Sequence, residues 1–254
     1  MTQQPAHQAP RRTVKREPLL ASAPAEEWGA WLRYLVRTAK ARLAGVSLVL
    51  VGALALGGGA LWLFGELAGQ VGQGEPTALD LSVRAWLQRS ASPTLDELAR
   101  FVSLFGSEVV ALLLVVLLGL LSRQRRWGAA LSLVVVTGGA QLLDDVLKDH
   151  FRRTRPSSVL GLIPAQAWSF PSGHAMVAAA FYLFLAYLGW RLLTGWGRIV
   201  WPSLLVGLVL LVGLARLYLG VHYLTDVVAG YAAGAAWTEA VVLAGRLLAA
   251  RRRR

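Results

Sequence analysis

The stretch LAGVSLVLVGALALGGGALWLF, Leu43 to Phe64, runs for 22 residues without a charge. As a helix it reaches ~33 Å at about 1.5 Å per residue, enough to cross the hydrocarbon core of a bilayer. It is too long, and begins too far into the chain, for an ordinary cleaved signal peptide. Five further apolar blocks follow, at about Phe101–Leu121, Trp127–Val146, Trp168–Trp190, Ile199–Leu214 and Val227–Leu248. Glu108 interrupts the first of these, and the uninterrupted part, Val109–Leu121, is too short to span alone. It is counted because an even number of crossings puts both basic termini on one side. The expected fold is therefore all-α: a polytopic membrane protein with six transmembrane helices.

Composition agrees. Of 254 residues 56% are hydrophobic and only 16% charged, against roughly 25% charged in ordinary soluble domains. Despite a net charge of +12, this excludes a disordered tail, a fibrous protein and a soluble nucleic-acid binder. The absence of cysteine excludes disulfides, thiolate metal sites and a Cys nucleophile, and is silent on compartment.

The cations set an orientation. Of 26 Lys and Arg, eight lie before the first span, three at Arg123, Arg125 and Arg126, two at Arg191 and Arg198, and five at Arg246 and Arg251–Arg254. That places eighteen on one face, which the positive-inside rule makes cytoplasmic. The terminal Arg run reads as a headgroup and topology signal rather than a nucleic-acid site. Residues 1–42 form the expected cytoplasmic N-terminal segment, Gln-, Ala- and Pro-rich and disordered to about residue 25. Within it Trp28, Trp31, Leu32, Leu35 and Val36 recur at helical spacing, as in an interfacial helix. Residues 43–248 form the membrane domain and 249–254 a basic cytoplasmic tail. The loop from Gly65 to Arg100 carries two weakly amphipathic stretches, Leu79–Leu87 and Leu95–Val102.

Against this apolar background three polar groups stand out at the ends of spans on the opposite, outer face. They are Lys148-Asp149-His150-Phe151-Arg152-Arg153-Thr154-Arg155-Pro156, Pro171-Ser172-Gly173-His174, and Arg216 followed by His222 and Asp226. Pro is favoured in a first helical turn. The amides of Ser172 and Gly173 would then lie unpaired at a positive helix end, a setting suited to phosphate. Lys148, Arg155 and Arg216 can surround the same anion with fixed positive charge. If the last helix has begun by His222, Asp226 lies one turn on and its carboxylate can hold one imidazole nitrogen, leaving the other nucleophilic. Simpler readings exist for each part. His174 and His222 fit interfacial histidines satisfied by backbone. Arg152 and Arg153 fit headgroup anchors. Asp144 and Asp145, one turn before Lys148, fit a pair that orients it better than a metal site. Glu239, deep in the last span, is costly in lipid and should face protein or water.

Lys148 with Arg155-Pro156, then Pro171-Ser172-Gly173-His174, then Arg216, His222 and Asp226 resembles the three-part signature of the type 2 phosphatidic acid phosphatase superfamily. Vanadium-dependent haloperoxidases share that signature. One position departs: Ala215 stands where the family usually has Ser before the Arg. The resemblance implies that His222 attacks phosphorus and forms a phosphohistidine, with Asp226 orienting it and His174 protonating the leaving oxygen. Lys148, Arg155, Ser172, Gly173 and Arg216 bind phosphate, and neither metal nor cofactor is required. The implied activity is a lipid phosphatase acting at the outer bilayer surface on a phosphomonoester or diphosphate, such as phosphatidic acid, phosphatidylglycerol phosphate or a polyprenyl diphosphate. The alternatives are a non-catalytic lipid-binding or translocating protein and a lipid phosphotransferase. The partners expected are the bilayer and a lipid phosphate, not nucleic acid; nothing in the sequence speaks to oligomeric state.

Overall fold

The computed structural model describes residues 25–72, 75–156 and 168–251; side chains of residues 25–29, 32–33, 36, 39–50 and 53 are outside that description. The expected disorder before residue 25 and the last three arginines lie outside the described residues. The architecture is all-helical, with no strand among the described residues. Its elements are α1 (Ala25–Val71), α2 (Ala78–Arg89), α3 (Pro93–Ser103), a 3-10 turn (Leu104–Gly106), α4 (Glu108–Arg123), α5 (Trp127–Phe151), α6 (Gly173–Leu192), α7 (Gly197–Tyr218) and α8 (Leu224–Arg251). The described residues up to Val51 and those from Gly52 onward belong to two compact units, and the site lies wholly in the second.

Among the described residues five stretches are long and apolar enough to cross a membrane: Pro93–Arg123, Trp127–Phe151, Gly173–Leu192, Gly197–Tyr218 and Leu224–Arg251. The first expected span, Leu43–Phe64, falls on α1, where the side chains of 43–50 and 53 are outside the description. Helix α1 shows no break near residue 42, so the expected surface helix and the start of that span share one helix. The Phe101–Leu121 block lies within the stretch Pro93–Arg123, as expected of a span, but it is not one regular helix: the 3-10 turn and Ser107 divide it, and Glu108 is the first residue of α4. The two amphipathic stretches of the loop are α2 and α3. Thr77 caps α2 in a capping box with Asp80, and Ser92 with Pro93 opens α3.

Helix α6 forms the centre. It carries no charge between His174 and Arg191 and is buried on nearly every face against α5, α7 and α8. It meets α8 through small residues. A Cβ at Gly230 would lie 2.7 Å from the Ser172 carbonyl, and one at Gly234 would strike that of Met176. Ala175 and Ala179 face these glycines, the small-xxx-small pattern that lets membrane helices approach backbone to backbone. Aromatic polar ends bond across helices rather than to lipid. Tyr182 donates to the Phe105 carbonyl at 2.9 Å, Tyr231 to that of Val209 at 3.0 Å, and Trp237 to that of Val136 at 3.1 Å. Because α5 through α8 alternate in direction, the C-terminal ends of α5 and α7 meet the N-terminal ends of α6 and α8. All three polar groups of the sequence stand at that end.

Candidate active site

The last turn of α5 supplies Lys148, whose Nζ lies 2.5 Å from the buried Asp144 carboxylate. This is the orienting pair expected from spacing; Asp145 instead accepts from Gln141 at 3.1 Å. The Lys148 amino group and Asp144 crowd Gly173 so closely that a Cβ there would collide with both. Gly173 is thus the residue type that lets the α5 cation reach the first turn of α6. After α5 the chain turns at Arg152, in the left-handed region at φ 46°, and Arg155 comes back over the α7–α8 turn. Its Nη1 donates to the Val221 carbonyl at 3.1 Å and lies 3.2 Å from His222 Nε2.

His222 is buried and precedes α8 rather than lying on it. Its Nδ1 is 2.8 Å from the Ser169 carbonyl and 3.6 Å from Asp226 Oδ2. The expectation that the Asp226 carboxylate holds the ring directly is therefore corrected. A carbonyl only accepts, so Nδ1 carries the proton and Nε2 the lone pair. Asp226 acts one layer out: Oδ2 accepts from Ser169 Oγ at 2.9 Å and from the Tyr223 amide at 2.8 Å. Burial first, then Arg155, Arg216 and Lys148 nearby, hold His222 well below the usual histidine range, so it is neutral at neutral pH. Burial likewise lowers Arg155 from the ordinary arginine value.

A second expectation changes at the start of α6. The Ser172 amide is not free, since it donates to the Asp226 carbonyl at 3.0 Å. The first-turn amides that remain without intrahelical partners are those from Gly173 onward. The Ser172 hydroxyl is instead the group left over: it is buried with no partner among the described residues, as is Arg216 Nε. These are donors suited to an anion. Arg216 is fixed by Nη1 donating to Ser103 Oγ of α3 at 2.8 Å, while Ala215 packs beside Ala99 and Val221. His174 faces the same space, within electrostatic reach of Arg216, His222, Lys148 and Arg155. All eight residues singled out in the sequence thus converge.

Four others were not foreseen: Ser103, Ser169, Asp80 and, above all, Arg153. Arg153 is no headgroup anchor. It is 7% exposed, bonded to Asp226 at 2.5 Å, Thr225 at 2.6 Å and Asp80 at 3.0 Å, and stacked over Tyr223. Arg152, exposed, keeps the role of a surface cation. Asp80 is buried, which works against its charge, yet bonds from Thr225, Arg153 and Thr77 hold it below the usual aspartate value. No group of three or more His, Asp or Glu among the described residues is arranged to hold a metal ion.

The PAP2 superfamily model matches residues 129–247, the segment that contains every one of the eight. Phosphatidylglycerophosphatase B of Bacillus subtilis is 34% identical over 148 residues, 56% of this chain and 71% of that protein. An undecaprenyl-diphosphatase of Sulfolobus acidocaldarius is 32% identical over 148 residues, 56% of this chain and 66% of that protein. The crystal structure of the transmembrane PAP2-type phosphatidylglycerolphosphate phosphatase from Bacillus subtilis superposes with a TM-score of 0.65 at 27% identity, covering 76% of this chain and 96% of that one. With its helical membrane architecture and its cationic pocket around a neutral imidazole, the chain belongs to the PAP2 superfamily of membrane phosphatases.

Proposed function

We propose that this lipid phosphatase hydrolyses a phosphomonoester or diphosphate headgroup through a phosphohistidine at His222. The observation that carries the reading is the state of that imidazole. It is neutral, its Nδ1 proton is committed to the Ser169 carbonyl, and its Nε2 lone pair points into the space shared by Lys148, Arg155 and Arg216. A protein that only binds or translocates lipid needs the cations but gains nothing from such a nitrogen.

The phosphate takes the donors of Lys148, Arg155, Arg216, Ser172 and the Gly173 amide. Its oxygens replace His222 as the partner of the Arg155 guanidinium, which exposes the lone pair. Nε2 then attacks phosphorus in line. A phosphate that enters as the monoanion passes its proton to His174; the N–P bond then forms, the P–O bond to the lipid breaks, and the His174 imidazolium gives that proton to the departing oxygen. As the imidazole gains positive charge, Asp226 supports it through Ser169. Water next attacks phosphorus with His174 taking its proton, the N–P bond breaks, and inorganic phosphate leaves with the imidazole restored. The three cations stabilise the five-coordinate phosphorus in both steps.

The names of the relatives support phosphatidylglycerol phosphate and polyprenyl diphosphates as the substrate classes; phosphatidic acid is the third candidate, from the resemblance in sequence. Lipid tails would lie against the apolar flanks of the bundle while the headgroup reaches the pocket at its end. The excess of cations on the opposite face supports a site at the outer surface and termini in the cytoplasm. The test is phosphate release by purified protein in detergent from phosphatidic acid, phosphatidylglycerol phosphate and a polyprenyl diphosphate, with chelator present. Release from at least one, abolished in His222→Ala, is expected. Release from none would leave the binding-only reading, and transfer of phosphate to a second lipid instead of water would make the protein a phosphotransferase.

A further inference from the structure

Arg153 brings one cation among two carboxylates in a buried setting, where any member left alone is expensive. Asp80, Thr225 and Asp226 are 1%, 6% and 0% exposed. The connections are specific. Asp80 Oδ1 accepts from the Thr225 amide at 2.9 Å, and Oδ2 from the Thr225 hydroxyl at 2.9 Å and Arg153 Nη2 at 3.0 Å. Arg153 Nη1 in turn donates to Asp226 Oδ1 at 2.5 Å and Thr225 Oγ1 at 2.6 Å. The other oxygen of Asp226 holds the Ser169 hydroxyl, and the Ser169 carbonyl receives the His222 proton.

We propose that Asp80, on the loop helix α2, is a positioning residue for the reaction, acting through Arg153 and Thr225 on Asp226 and so on the ring of His222. This rests on the catalytic reading above. Both Asp80 oxygens are spent on the two residues that grip the start of α8, which is more than a helix cap requires. The cap shares one of these oxygens: Thr77 Oγ1 accepts from the Asp80 amide at 3.1 Å, and Asp80 Oδ2 accepts from the Thr77 amide at 3.2 Å as well as from Thr225 and Arg153. Asp80, Val83 and Leu87 also line one narrow cleft together with His222, Leu217 and Leu224. Where α2 sits decides how the bifurcated grip of Arg153 is shared. With Asp80 in place, Nη2 is held and Nη1 is free to serve Asp226. Without it, the whole guanidinium shifts onto the remaining carboxylate and turns it.

Asp80→Asn keeps the shape but sets an amide donor either against the Thr225 amide at the Oδ1 position or against Arg153, the Thr225 hydroxyl and the Thr77 amide at the Oδ2 position, so the grip on Thr225 and Arg153 is broken on one side or the other. The phosphate-binding groups are untouched, so the defect belongs in kcat. Hydrolysis of phosphatidic acid in detergent micelles should show kcat down roughly tenfold or more, in keeping with a displaced reacting group, and KM within about threefold of the parent. Thr77→Ala is the structural control, because it removes the side-chain cap of α2 and leaves the Asp80 carboxylate in place; it should lower the melting temperature without lowering kcat. Should Asp80→Asn not fold, Thr225→Val, which removes only the hydroxyl bridge, must show the same kcat loss in milder form. The proposal is overturned if folded Asp80→Asn keeps the parent kcat, if Thr77→Ala loses as much kcat at equal melting temperature, or, failing Asp80→Asn, if Thr225→Val is within twofold of the parent. A His222→Ala protein that remains active overturns the catalytic reading and the proposal together. An inert His222→Ala beside a fully active Asp80→Asn overturns the proposal alone.

Discussion

Replacing Gly230 by Ala adds one carbon where α8 crosses the first turn of α6. That carbon would sit 2.7 Å from the Ser172 carbonyl oxygen, 3.1 Å from the Ala175 Cβ and 3.2 Å from the Met176 amide nitrogen. The worst contact is about 0.7 Å short of ordinary van der Waals separation, and its partner is backbone, which cannot rotate away. The Ser172 carbonyl is further committed to the Met176 amide at 2.9 Å, and the Ser172 amide to the Asp226 carbonyl at 3.0 Å. The two helices must therefore part by roughly half an ångström, at a typical overpacking cost of about 1–3 kcal/mol. The displaced residues are Ser172, Gly173 and His174, which move away from His222. Since a shift of ~1 Å can cost about a hundredfold in rate, Gly230→Ala should lower kcat roughly tenfold and lower the melting temperature. Gly207→Ala, at a helical site with nothing within 4 Å of the added carbon, is the control and should be neutral or slightly stabilising. Phosphate release and thermal unfolding in detergent measure both. A Gly230→Ala protein as active as Gly207→Ala would refute the claim that close packing of α6 on α8 sets the pocket.

Further outcomes follow from the site. His174→Ala should lose far more activity on a lipid monophosphate, whose alkoxide leaves poorly without a proton, than on a diphosphate, while His222→Ala should fail on both; equal losses for His174→Ala, with the first step shown to limit the rate, would leave His174 a phosphate binder. The chain has no native cysteine, so a cysteine placed at exposed Ser90 should react with an impermeant thiol reagent in intact cells and one at Ser122 should not; the reverse pattern would put the site in the cytoplasm. His222 stays neutral in the folded protein, whereas unfolded histidine takes up a proton near pH ~6.5. Its folded value being the lower, stability is lost as pH falls below that point, so melting temperature should drop less steeply between about pH 6.5 and 5 in His222→Gln than in the parent, and equal slopes would count against a neutral buried ring.

The eight site residues were legible because three short polar stretches at span ends, each weak alone, fall together in order and spacing: Lys148 with Arg155, Ser172-Gly173-His174, and Arg216 with His222 and Asp226. The helices of the loop were legible from their apolar spacing. What escaped depends on partners far away in the chain. Arg153 reads in sequence like its neighbour Arg152, and only the fold, by bringing Asp80 and Asp226 from 73 residues to either side, separates a buried clamp from a surface cation. Ser103 meets Arg216 across 113 residues. The His222–Ser169 contact was hidden for another reason: an i to i+4 spacing implies a helical contact only if the helix has begun, and α8 begins two residues too late. The break in the Phe101–Leu121 block was invisible to an apolar count, since Leu, Phe and Gly keep their hydropathy in a 3-10 turn as in a helix. There Gly106 leaves room for Val212 and His174, which a Cβ would meet at 2.8 and 3.0 Å.

The Arg153 clamp also bears on how the enzyme comes into being. Its three charged members are spaced through the chain so that Asp80 is synthesised first, Arg153 midway and Asp226 late. Before α8 is in place Arg153 is paired with Asp80 alone, one charge to one, and Asp226 arrives as a second carboxylate. The last helix thus adds a buried negative charge to a pair that is already balanced. The docking of α8 at this end therefore depends on the bonds that Asp226 makes to Arg153, Ser169 and the Tyr223 amide, and losing any one of them would loosen α8 itself.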